Sequence, residues 1–501
     1  MRNNKNTEIA DVCLIIEGSY PYVKGGVASW VHQIVTNYSD ISFDIVVLVA
    51  SDKDEYESKY KLPDNINNLY HIYIKKSVKV PIFSISKMTN IELIKEFFKN
   101  YFNYDSFEKV VNYISSLSKS KKQKLLKEAL YSKEVYEYIN ELYEQSDFKE
   151  KSYLDFFWSI KSVYHSFLST LISDIPKAKV YHTISTGYAG LYASICKIKY
   201  PQSKLLLTEH GIYTRERKMD ITISDWADRD YQAYNPKESI SLYKNIWAEA
   251  FKRISLITYK YSDEIISLNQ KNNLIQISEG APEEKVYFVR NGVNVNKFTF
   301  KERKKIDISS PKIGFLGRVV KIKDVKTFIK SANYVIQKYP HAQFLIAGPT
   351  QEDVEYFEVC LKLVSSLNLE KNVKFLGLVQ ADDFLNEIDM MVLTSLSEGQ
   401  PLVLAEANAM GVPCIATDVG GCKEMIEGAQ DDKEGDSGII TRSVNPKETA
   451  EAIMKFIEDK EFYNQCSKNG RSRALKYYNE ADFLEKYRTI YENNINLSGV
   501  K

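Results

Sequence analysis

Two glutamates eight residues apart, Glu398 and Glu406, mark the stretch SEGQPLVLAEANAMGVP as a candidate site. A buried apolar run, MMVLT, comes just before it, and Pro401 is a residue type favoured where a helix begins. We therefore expect Glu398 in a strand-to-helix loop, with the amides of Leu402 and Val403 exposed at the helix start. Glu406 should lie about a turn and a half further on. Two carboxylates beside an anion-binding helix end suit the hydroxyl groups and the phosphate of a nucleotide sugar.

Two cations, Arg318 and Lys323, follow another buried run, KIGFL, in the stretch GRVVKIKD. In an open parallel sheet, ligands bind at the carboxyl ends of the strands, where both residues should lie. Such a pair can neutralise a diphosphate, on which negative charge grows as it departs. A solvated charged loop is the alternative interpretation.

The first part of the chain holds two weaker signals. Gly25 and Gly26 stand just before the amphipathic pattern VASWVHQIVTNY, where backbone amides can approach a phosphate. A tight strand-to-helix turn would explain the same glycines. His210 follows the apolar run KLLLT and is expected to face a cleft between domains, as are Arg215 and Arg217. The dinucleotide pattern G-x-G-x-x-G is absent from the glycine stretch, which disfavours a dehydrogenase.

Short apolar runs alternate with helical patterns and must position these residues. Strands alternating with helices of this length indicate βαβ units and parallel sheets. The predicted fold is therefore α/β, with two Rossmann-like domains facing a cleft. The predicted strands are 11–17, 45–50, 179–183, 204–208, 264–268, 286–289, 312–317, 344–348, 373–377, 390–394 and 413–417.

Breaks in this alternation predict the domain boundaries. Residues 1–305 form the N-terminal domain, in which the charged stretch 52–176 is expected to be a largely helical insertion. A polar segment that begins with Asn-Gly and ends with Pro closes this domain. Residues 306–479 form the C-terminal domain, and residues 480–501 form a final amphipathic helix.

Composition excludes several classes of protein. The 67 Lys and Arg residues nearly balance the 66 Asp and Glu residues, so no global charge would recruit nucleic acid. No apolar run approaches the ~20 residues of a membrane-spanning helix, and the first residues lack a signal-peptide pattern. The six cysteines are scattered, which is typical of reduced, buried thiols. These features predict a cytoplasmic protein of about two to four domains.

The glycine pair, the two cations and the glutamate pair together resemble the retaining, GT-B-fold glycosyltransferases of family 4, over essentially the full length. The stretches DVCLIIEGSYPYVKGGVASWVHQI and TEHGIYTRER are similar to the members of that family that act in synthesis of Pel exopolysaccharide, a biofilm polymer. The resemblance implies a UDP-hexose donor, with UDP-glucose expected, in the C-terminal domain. It also implies a growing polysaccharide as acceptor on the N-terminal domain, to which the last helix crosses back.

The same resemblance implies roles for single residues. Glu398 would contact the donor hexose, Glu406 the ribose, and Arg318 and Lys323 the diphosphate. Asp324 departs from the family pattern, because many relatives have glycine after the lysine. The remaining implied donor contacts are Gly25, Gly26, Gly399, Leu402 and Val403, and His210 would border the transferred sugar. No cofactor and no metal are implied, and the implied partners are components of an inner-membrane polysaccharide synthase complex.

Three rival interpretations stay open. Asp52 and Asp54 form a D-x-D triplet after an apolar run, which is the metal site that a GT-A transferase needs. A non-catalytic nucleotide-sugar sensor or scaffold would use the same fold and bind the donor without transferring it. A sugar-nucleotide epimerase of this fold would convert the donor without any acceptor.

Overall fold

The structure is a computed structural model, and its chain divides into two compact units. The first unit takes Met1–Ile266, Ile275–Tyr287 and Arg488–Lys501, and the second takes Ser267–Leu274 and Phe288–Tyr487. The described residues are 9–23, 25–78, 92–93, 95–96, 104–146, 152–223, 242–298 and 306–500.

A seven-stranded sheet organises the first unit, in the order β3-β2-β1-β4-β5-β6-β7. Strands β1 and β4 are parallel neighbours although they are far apart in the chain, so the strand order reverses between them. The strands are β1 (Ala10–Glu17), β2 (Phe43–Ser51), β3 (Ile66–Lys75), β4 (Ala178–Thr183), β5 (Lys204–Glu209), β6 (Glu264–Ser267) and β7 (Val286–Phe288).

Helices accompany these strands as far as residue 288. Apolar runs such as IVVLVA in β2 are almost wholly buried, as expected for strands covered on both faces. The helices are α1 (Gly26–Asn37), α2 (Tyr104–Ser116), α3 (Lys119–Tyr131), α4 (Lys133–Glu144), α5 (Tyr153–Leu171), α6 (Tyr188–Lys199), α7 (Tyr213–Ile223), α8 (Leu242–Tyr261) and α9 (Gln270–Ser278).

A six-stranded sheet organises the second unit, in the order β10-β9-β8-β11-β12-β13, and all neighbouring strands are parallel. Its order reverses between β8 and β11, which places the loops after these two strands side by side. The strands are β8 (Lys312–Leu316), β9 (Gln343–Ala347), β10 (Val373–Gly377), β11 (Met390–Leu393), β12 (Cys414–Thr417) and β13 (Gly438–Thr441). The helices after β8 are α10 (Val325–Val335), α11 (Val354–Ser366), α12 (Ala381–Glu387), α13 (Leu402–Ala409), α14 (Cys422–Glu427), α15 (Pro446–Glu458), α16 (Lys460–Tyr477) and α17 (Glu480–Leu497). Residues of α9 and of α17 are divided between the two units.

The predicted α/β fold with two Rossmann-like sheets is confirmed, with two strands missed. The stretch 52–176 is not helical throughout, because INNLYHIYIK forms β3 and pairs in parallel with β2. It is the edge strand of the sheet, and Asn67, Asn68 and His71 interrupt its apolar residues without regular alternation, which hid it among charged sequence. Strand β13 is only four residues long and follows a polar loop.

The long segment of the second compact unit begins at Phe288, whereas the first domain was predicted to extend to residue 305. Val293 explains the difference, because its amide donates to Tyr478 O (2.8 Å) and its carbonyl accepts from Glu480 N (3.0 Å). The residues after β7 are thereby bonded to the second unit, ahead of the polar segment on which the predicted boundary was drawn.

Two further expectations concern thiols and membrane spans. All six cysteines are buried and free, as the scattered spacing predicted. Within the described ranges, no helix combines the length and the apolar character needed to cross a bilayer.

Candidate functional site

Lys323 and Glu398 meet at the reversal point of the second sheet. Lys323 lies in the loop after β8, and Glu398 lies in the loop after β11. The Leu396 amide donates to Ile322 O (2.8 Å), which ties the two loops together. The Lys323 ammonium group donates to Glu398 Oε1 and forms an ion pair with it. The structure therefore brings together two residues that the sequence assigned to one site.

The Glu398 carboxylate is held by one oxygen. Ser395 Oγ also donates to Glu398 Oε1, at 2.6 Å. The side chains of Lys323 and Glu398 are only 17% and 9% exposed, so solvent screens their charges weakly. In the described part of the chain, no group donates a hydrogen bond to Oε2, which leaves that oxygen available to a ligand hydroxyl group.

Asp324, the departure from the family pattern, adopts the conformation that glycine favours. Its φ is 43° and its ψ is 52°, in the left-handed region that aspartate tolerates better than most residues. Thr327 Oγ1 donates to Asp324 Oδ2 (2.6 Å), and Thr394 Oγ1 donates to its carbonyl (2.9 Å). Burial raises the pKa of Asp324, against the opposing effect of the Thr327 bond. The turn therefore forms without glycine and leaves Lys323 in place.

Arg318 is not brought to Lys323 or Glu398. It forms an ion pair with Glu352 at 2.6 Å, and the two side chains are 46% and 39% exposed. Exposed pairs of this kind contribute only about 0–1 kcal/mol, so exchanging Glu352 for a diphosphate would cost little.

Helix α13 begins as predicted, one residue after Pro401. No side chain caps this end of the helix, and the Leu404 amide donates to Pro401 O at 3.0 Å. The Leu402 and Val403 amides lack a partner within the described ranges. Their N–H groups and the helix dipole can therefore serve an anion.

Glu406 lies inside α13 and is predominantly surrounded by protein. Burial raises its pKa to about 7, although Lys297 lowers it, and Asp382 adds a smaller upward effect. No described residue donates a hydrogen bond to its carboxylate. The side chain is thus an acceptor whose ionised form is costly until a ligand supplies donors.

We expect Glu406 to make stability fall as the pH rises. The folded state holds its proton more tightly than the unfolded state, so its favourable contribution is complete below the unfolded pKa. That contribution disappears as the pH rises from about 4.5 to about 7, with an upper limit of about 3 kcal/mol. Glu406→Gln should flatten this part of the urea-unfolding profile. An identical profile in the wild type and the variant would contradict the assignment.

A second glycine pair supports the Glu398 loop and was missed in the sequence. Gly420 has a φ of 50°, and a Cβ atom there would lie 1.6 Å from Glu398 O. Gly399 O accepts from the Gly421 amide (2.8 Å) and from Asn269 Nδ2 (3.2 Å). In the sequence, the Gly-Gly pair after the apolar run CIAT could have indicated this close approach of two loops. No sequence pattern near Asn269 indicates its contact with Gly399.

In the first unit, Gly25 and Gly26 lie at the start of α1, which follows β1 in the chain. Gly25 is extended and caps the helix, which begins at Gly26. A Cβ atom on either residue would meet nothing within 4 Å. Packing within the described protein therefore does not require glycine here, and the backbone is open to a ligand.

His210 follows β5 and has a buried ring nitrogen, Nε2, to which no residue that the structure describes forms a hydrogen bond. Its ring packs edge-to-face on Trp30, with centroids 5.0 Å apart. Burial lowers the pKa of His210 to about 4, so the imidazole is neutral at pH 7. Arg215 and Arg217 form ion pairs with Glu279 and Asp220, each at 3.2 Å.

Asp52 and Asp54 follow β2 and bond to nearby protein groups. Asp52 accepts from the Ser77 hydroxyl (2.5 Å), and Asp54 accepts from the Tyr56 hydroxyl (3.2 Å). In the part of the chain that the structure describes, no three His, Cys, Asp or Glu side chains form a group that could hold a metal ion.

Two parallel sheets with loops at their reversal points define the GT-B class of fold. Residues 10–284 match the family described as "Domain of unknown function (DUF3492)", and residues 296–473 match "Glycosyl transferases group 1". The chain belongs to the first of these families, which covers more than half its length, and residues 296–473 match a glycosyl transferases group 1 domain, a match consistent with the GT-B fold.

Known proteins agree with this assignment. The chain is 29% identical over 241 residues to N-acetyl-alpha-D-glucosaminyl L-malate synthase of Bacillus anthracis, covering 48% of this chain and 58% of that enzyme. The chain spans about three fifths of the length of the curated relatives it matches.

Two solved structures share the fold at low sequence identity. Sucrose-phosphate synthase from Thermosynechococcus elongatus has a TM-score of 0.60 at 14% identity, covering 97% of this chain and 100% of that one. Anabaena HepE in complex with UDP has a TM-score of 0.58 at 14% identity, covering 96% of this chain and 99% of that one.

Proposed function

We propose that the protein is a retaining hexosyltransferase that uses a UDP-sugar, UDP-glucose first, to extend a polysaccharide. The observation that carries the proposal is the Lys323–Glu398 pair at the reversal point of the second sheet, with Glu398 Oε2 free to accept from a sugar hydroxyl. The group 1 glycosyltransferase match over residues 296–473 supports the same reaction class.

The diphosphate of the donor would lie against Lys323 and the start of α13. Lys323 has further N–H donors beyond the one given to Glu398, and the Leu402 and Val403 amides add a partial positive charge. Arg318 would join them after leaving Glu352. Together these groups favour the charge that develops on the leaving diphosphate more than the bound donor.

The base of the donor would lie on the loop that follows β10. Leu378 is 79% exposed and Val379 is 36% exposed, which offers an apolar surface to a planar ring. Gly377 before them has a φ of 68° and open space at its Cβ position. We propose uracil as this base on the strength of the sequence resemblance.

Retention follows in this proposal from reaction on one face of the sugar. No enzyme nucleophile is assigned, so the sugar passes through an ion-pair-like state beside the departing diphosphate. The acceptor oxygen forms the new bond on the side that the diphosphate leaves, and the acceptor proton goes to the diphosphate. An α-linked donor therefore gives an α-linked product.

A screen of nucleotide sugars with the purified full chain tests the proposal. We expect UDP-hexoses to bind more tightly than GDP- or ADP-sugars in calorimetry, and NMR of the product to show an α linkage. Tighter binding of a GDP- or ADP-sugar would contradict the proposed donor, and a β linkage would contradict retention. Binding without any turnover would favour the sensor alternative, and conversion of the donor sugar without an acceptor would favour the epimerase.

We also propose that turnover needs no divalent metal, because Lys323, Arg318 and the α13 amides supply the positive field that a metal gives elsewhere. EDTA should leave the rate unchanged, and so should Asp52→Ala, whose carboxylate bonds to Ser77. Loss of turnover on both treatments, with recovery on adding Mn²⁺ to the EDTA-treated wild type, would support the GT-A alternative.

The acceptor and partners complete the proposal. The sequence resemblance supports a Pel-type exopolysaccharide as acceptor, a cytoplasmic location and docking to an inner-membrane synthase complex. Purified polymer fragments would test the acceptor, and co-purification with membrane components would test the docking. His210, Gly25 and Gly26 stay predicted site residues, with Ala variants of each as their test.

A further inference from the structure

A cavity of about 530 Å³ lies among helices α3, α4 and α5 of the first unit, apart from the residues discussed above. Its volume falls in the range of roughly 300–1,000 Å³ that is typical of small-molecule sites. Most of its wall is apolar or aromatic, with a few polar side chains. Its lining includes Tyr131, Glu134, Tyr136, Phe157 and Lys161.

Lys161 brings a positive charge to this cavity. Its ammonium nitrogen lies 4.6 Å from the ring centroid of Tyr131, 5.4 Å from that of Phe157 and 5.2 Å from that of Trp158. No carboxylate of the described residues lies within ion-pairing distance. Burial lowers the pKa of Lys161, so the rings compensate its desolvation only in part. An acceptor oxygen in the cavity would complete its surroundings.

Glu134 brings a carboxylate, which requires hydrogen-bond donors, to the same cavity. Its Oε2 atom is buried and receives no hydrogen bond from the described residues, although a carboxylate oxygen removed from water requires a donor. The residue lines the cavity and forms no ion pair with Lys161 among the described contacts. Because Glu134 lines the cavity, a donor that enters the cavity lies beside this side chain.

We propose that this cavity binds a segment of neutral glycan. Each hydroxyl group of a sugar ring both accepts and donates, so one ring can satisfy Lys161 and Glu134 together while its apolar face packs on Tyr131 or Tyr136. A lipid phosphate would satisfy Lys161 but be repelled by Glu134. A purely apolar ligand would leave both charges unsatisfied.

Exposed aromatic side chains also lie on the surface beside the cavity. Tyr136 is 49% exposed, and Trp158, whose ring packs edge-to-face on Phe157, is 58% exposed. Exposed aromatic rings offer further places for sugar rings to pack. This inference rests on the proposed function for its choice of glycan, since a polysaccharide transferase needs to hold its product; the cavity would then be an accessory glycan site.

Oligosaccharide binding by the full chain, without nucleotide, tests the inference. Maltohexaose, cellohexaose, chitohexaose and hexameric N-acetylgalactosamine are the probes, with saturation-transfer NMR and calorimetry as readouts. We expect at least one to bind, and Lys161→Met, Glu134→Gln and Tyr136→Ala each to weaken it by about tenfold or more. Lys109→Met, on the exposed face of α2, is the matched control and should bind as the wild type does.

Thermal unfolding of each variant separates lost binding from lost folding. Failure of all four probes to bind the wild type would overturn the inference, as would equal binding by the folded Lys161→Met and Glu134→Gln variants. So would binding of phosphatidylglycerol vesicles, dependent on Lys161, in place of sugars. Turnover of UDP-hexoses with an acceptor fragment is measured on the same samples. Glycan binding without turnover of any UDP-hexose would leave the cavity site standing and contradict the proposed transferase, and turnover without glycan binding would reject only the cavity site.

Discussion

Lys323→Ala and Glu398→Ala should each lower kcat for sugar transfer by about 10²–10³-fold, the usual loss when one preorganised charge partner is removed. The loss of Lys323 should affect kcat more than KM, because charge on the leaving diphosphate is greatest in the transition state. Glu398→Ala removes both the orientation of Lys323 and the free Oε2 acceptor. Initial rates with UDP-glucose and an acceptor fragment measure both effects.

Two other variants provide comparisons for the expected loss of kcat. Arg318→Ala should reduce kcat less, because its side chain is 46% exposed and solvent weakens its field. Glu406→Ala should mainly weaken nucleotide binding and leave kcat at saturation closer to the wild type. Near-wild-type kcat in both Lys323→Ala and Glu398→Ala would reject the proposed mechanism.

Stability separates the structural role of the pair from its catalytic role. Removing one partner leaves the other charge poorly solvated, which should lower the free energy of unfolding by about 2–4 kcal/mol. The double variant Lys323→Met with Glu398→Gln carries no unpaired charge and should regain most of that stability. It should nevertheless remain as inactive as the single variants. Recovery of both properties would assign the pair to folding alone.

This pair was predictable because parallel strands bring their carboxyl ends to one edge. Lys323 and Glu398 are 75 residues apart, yet each follows an apolar run, and the reversal of strand order makes β8 and β11 neighbours. The helix start at Pro401 was predictable from local residue preference. The Arg318–Glu352 pair was not predictable, because no local sequence pattern indicates which of many surface carboxylates pairs with an exposed arginine.

The features that were missed depend on contacts between distant segments. Gly420 supports the Glu398 loop only because β12 pairs beside β11, and Asn269 reaches Gly399 across 130 residues. The changeover of the compact units before Val293 depends on hydrogen bonds to Tyr478 and Glu480, which no composition change marks. Strand β3 is stabilised by pairing with β2, and its own sequence has neither the continuous apolar run of a buried strand nor the regular alternation of a half-buried one.

Arg473→Ala should produce the largest loss of stability, about 3–5 kcal/mol. Arg473 is fully buried in α16 and forms an ion pair with Asp432, which is also buried. Its Nη1 donates to Ile426 O and its Nη2 to Gly435 O, both at 2.6 Å. One guanidinium group thus donates to a buried carboxylate and two carbonyl groups. In the alanine variant Gly435 O would lose its described donor, whereas Ile426 O would keep the Ser437 amide and Asp432 would keep the Glu434 amide.

The expected loss of stability depends on the planar, forked arrangement of the guanidinium N–H groups and not on the positive charge alone. Arg473→Lys keeps the charge but presents its donors from a single nitrogen, so it should recover only part of the lost stability. Arg442→Ala is the matched control, because Arg442 is 82% exposed and pairs with Glu448 at 2.8 Å. Such a surface pair contributes about 0–1 kcal/mol.

Urea unfolding of the full chain, followed by fluorescence and circular dichroism, measures the three variants. A loss in Arg473→Ala no greater than in Arg442→Ala would contradict the buried network. Full recovery by Arg473→Lys would show that charge alone suffices. Because Ile426 lies in α14 and Gly435 lies in the loop between α14 and β13, the expected result would also show that Arg473 helps to hold this loop against α16.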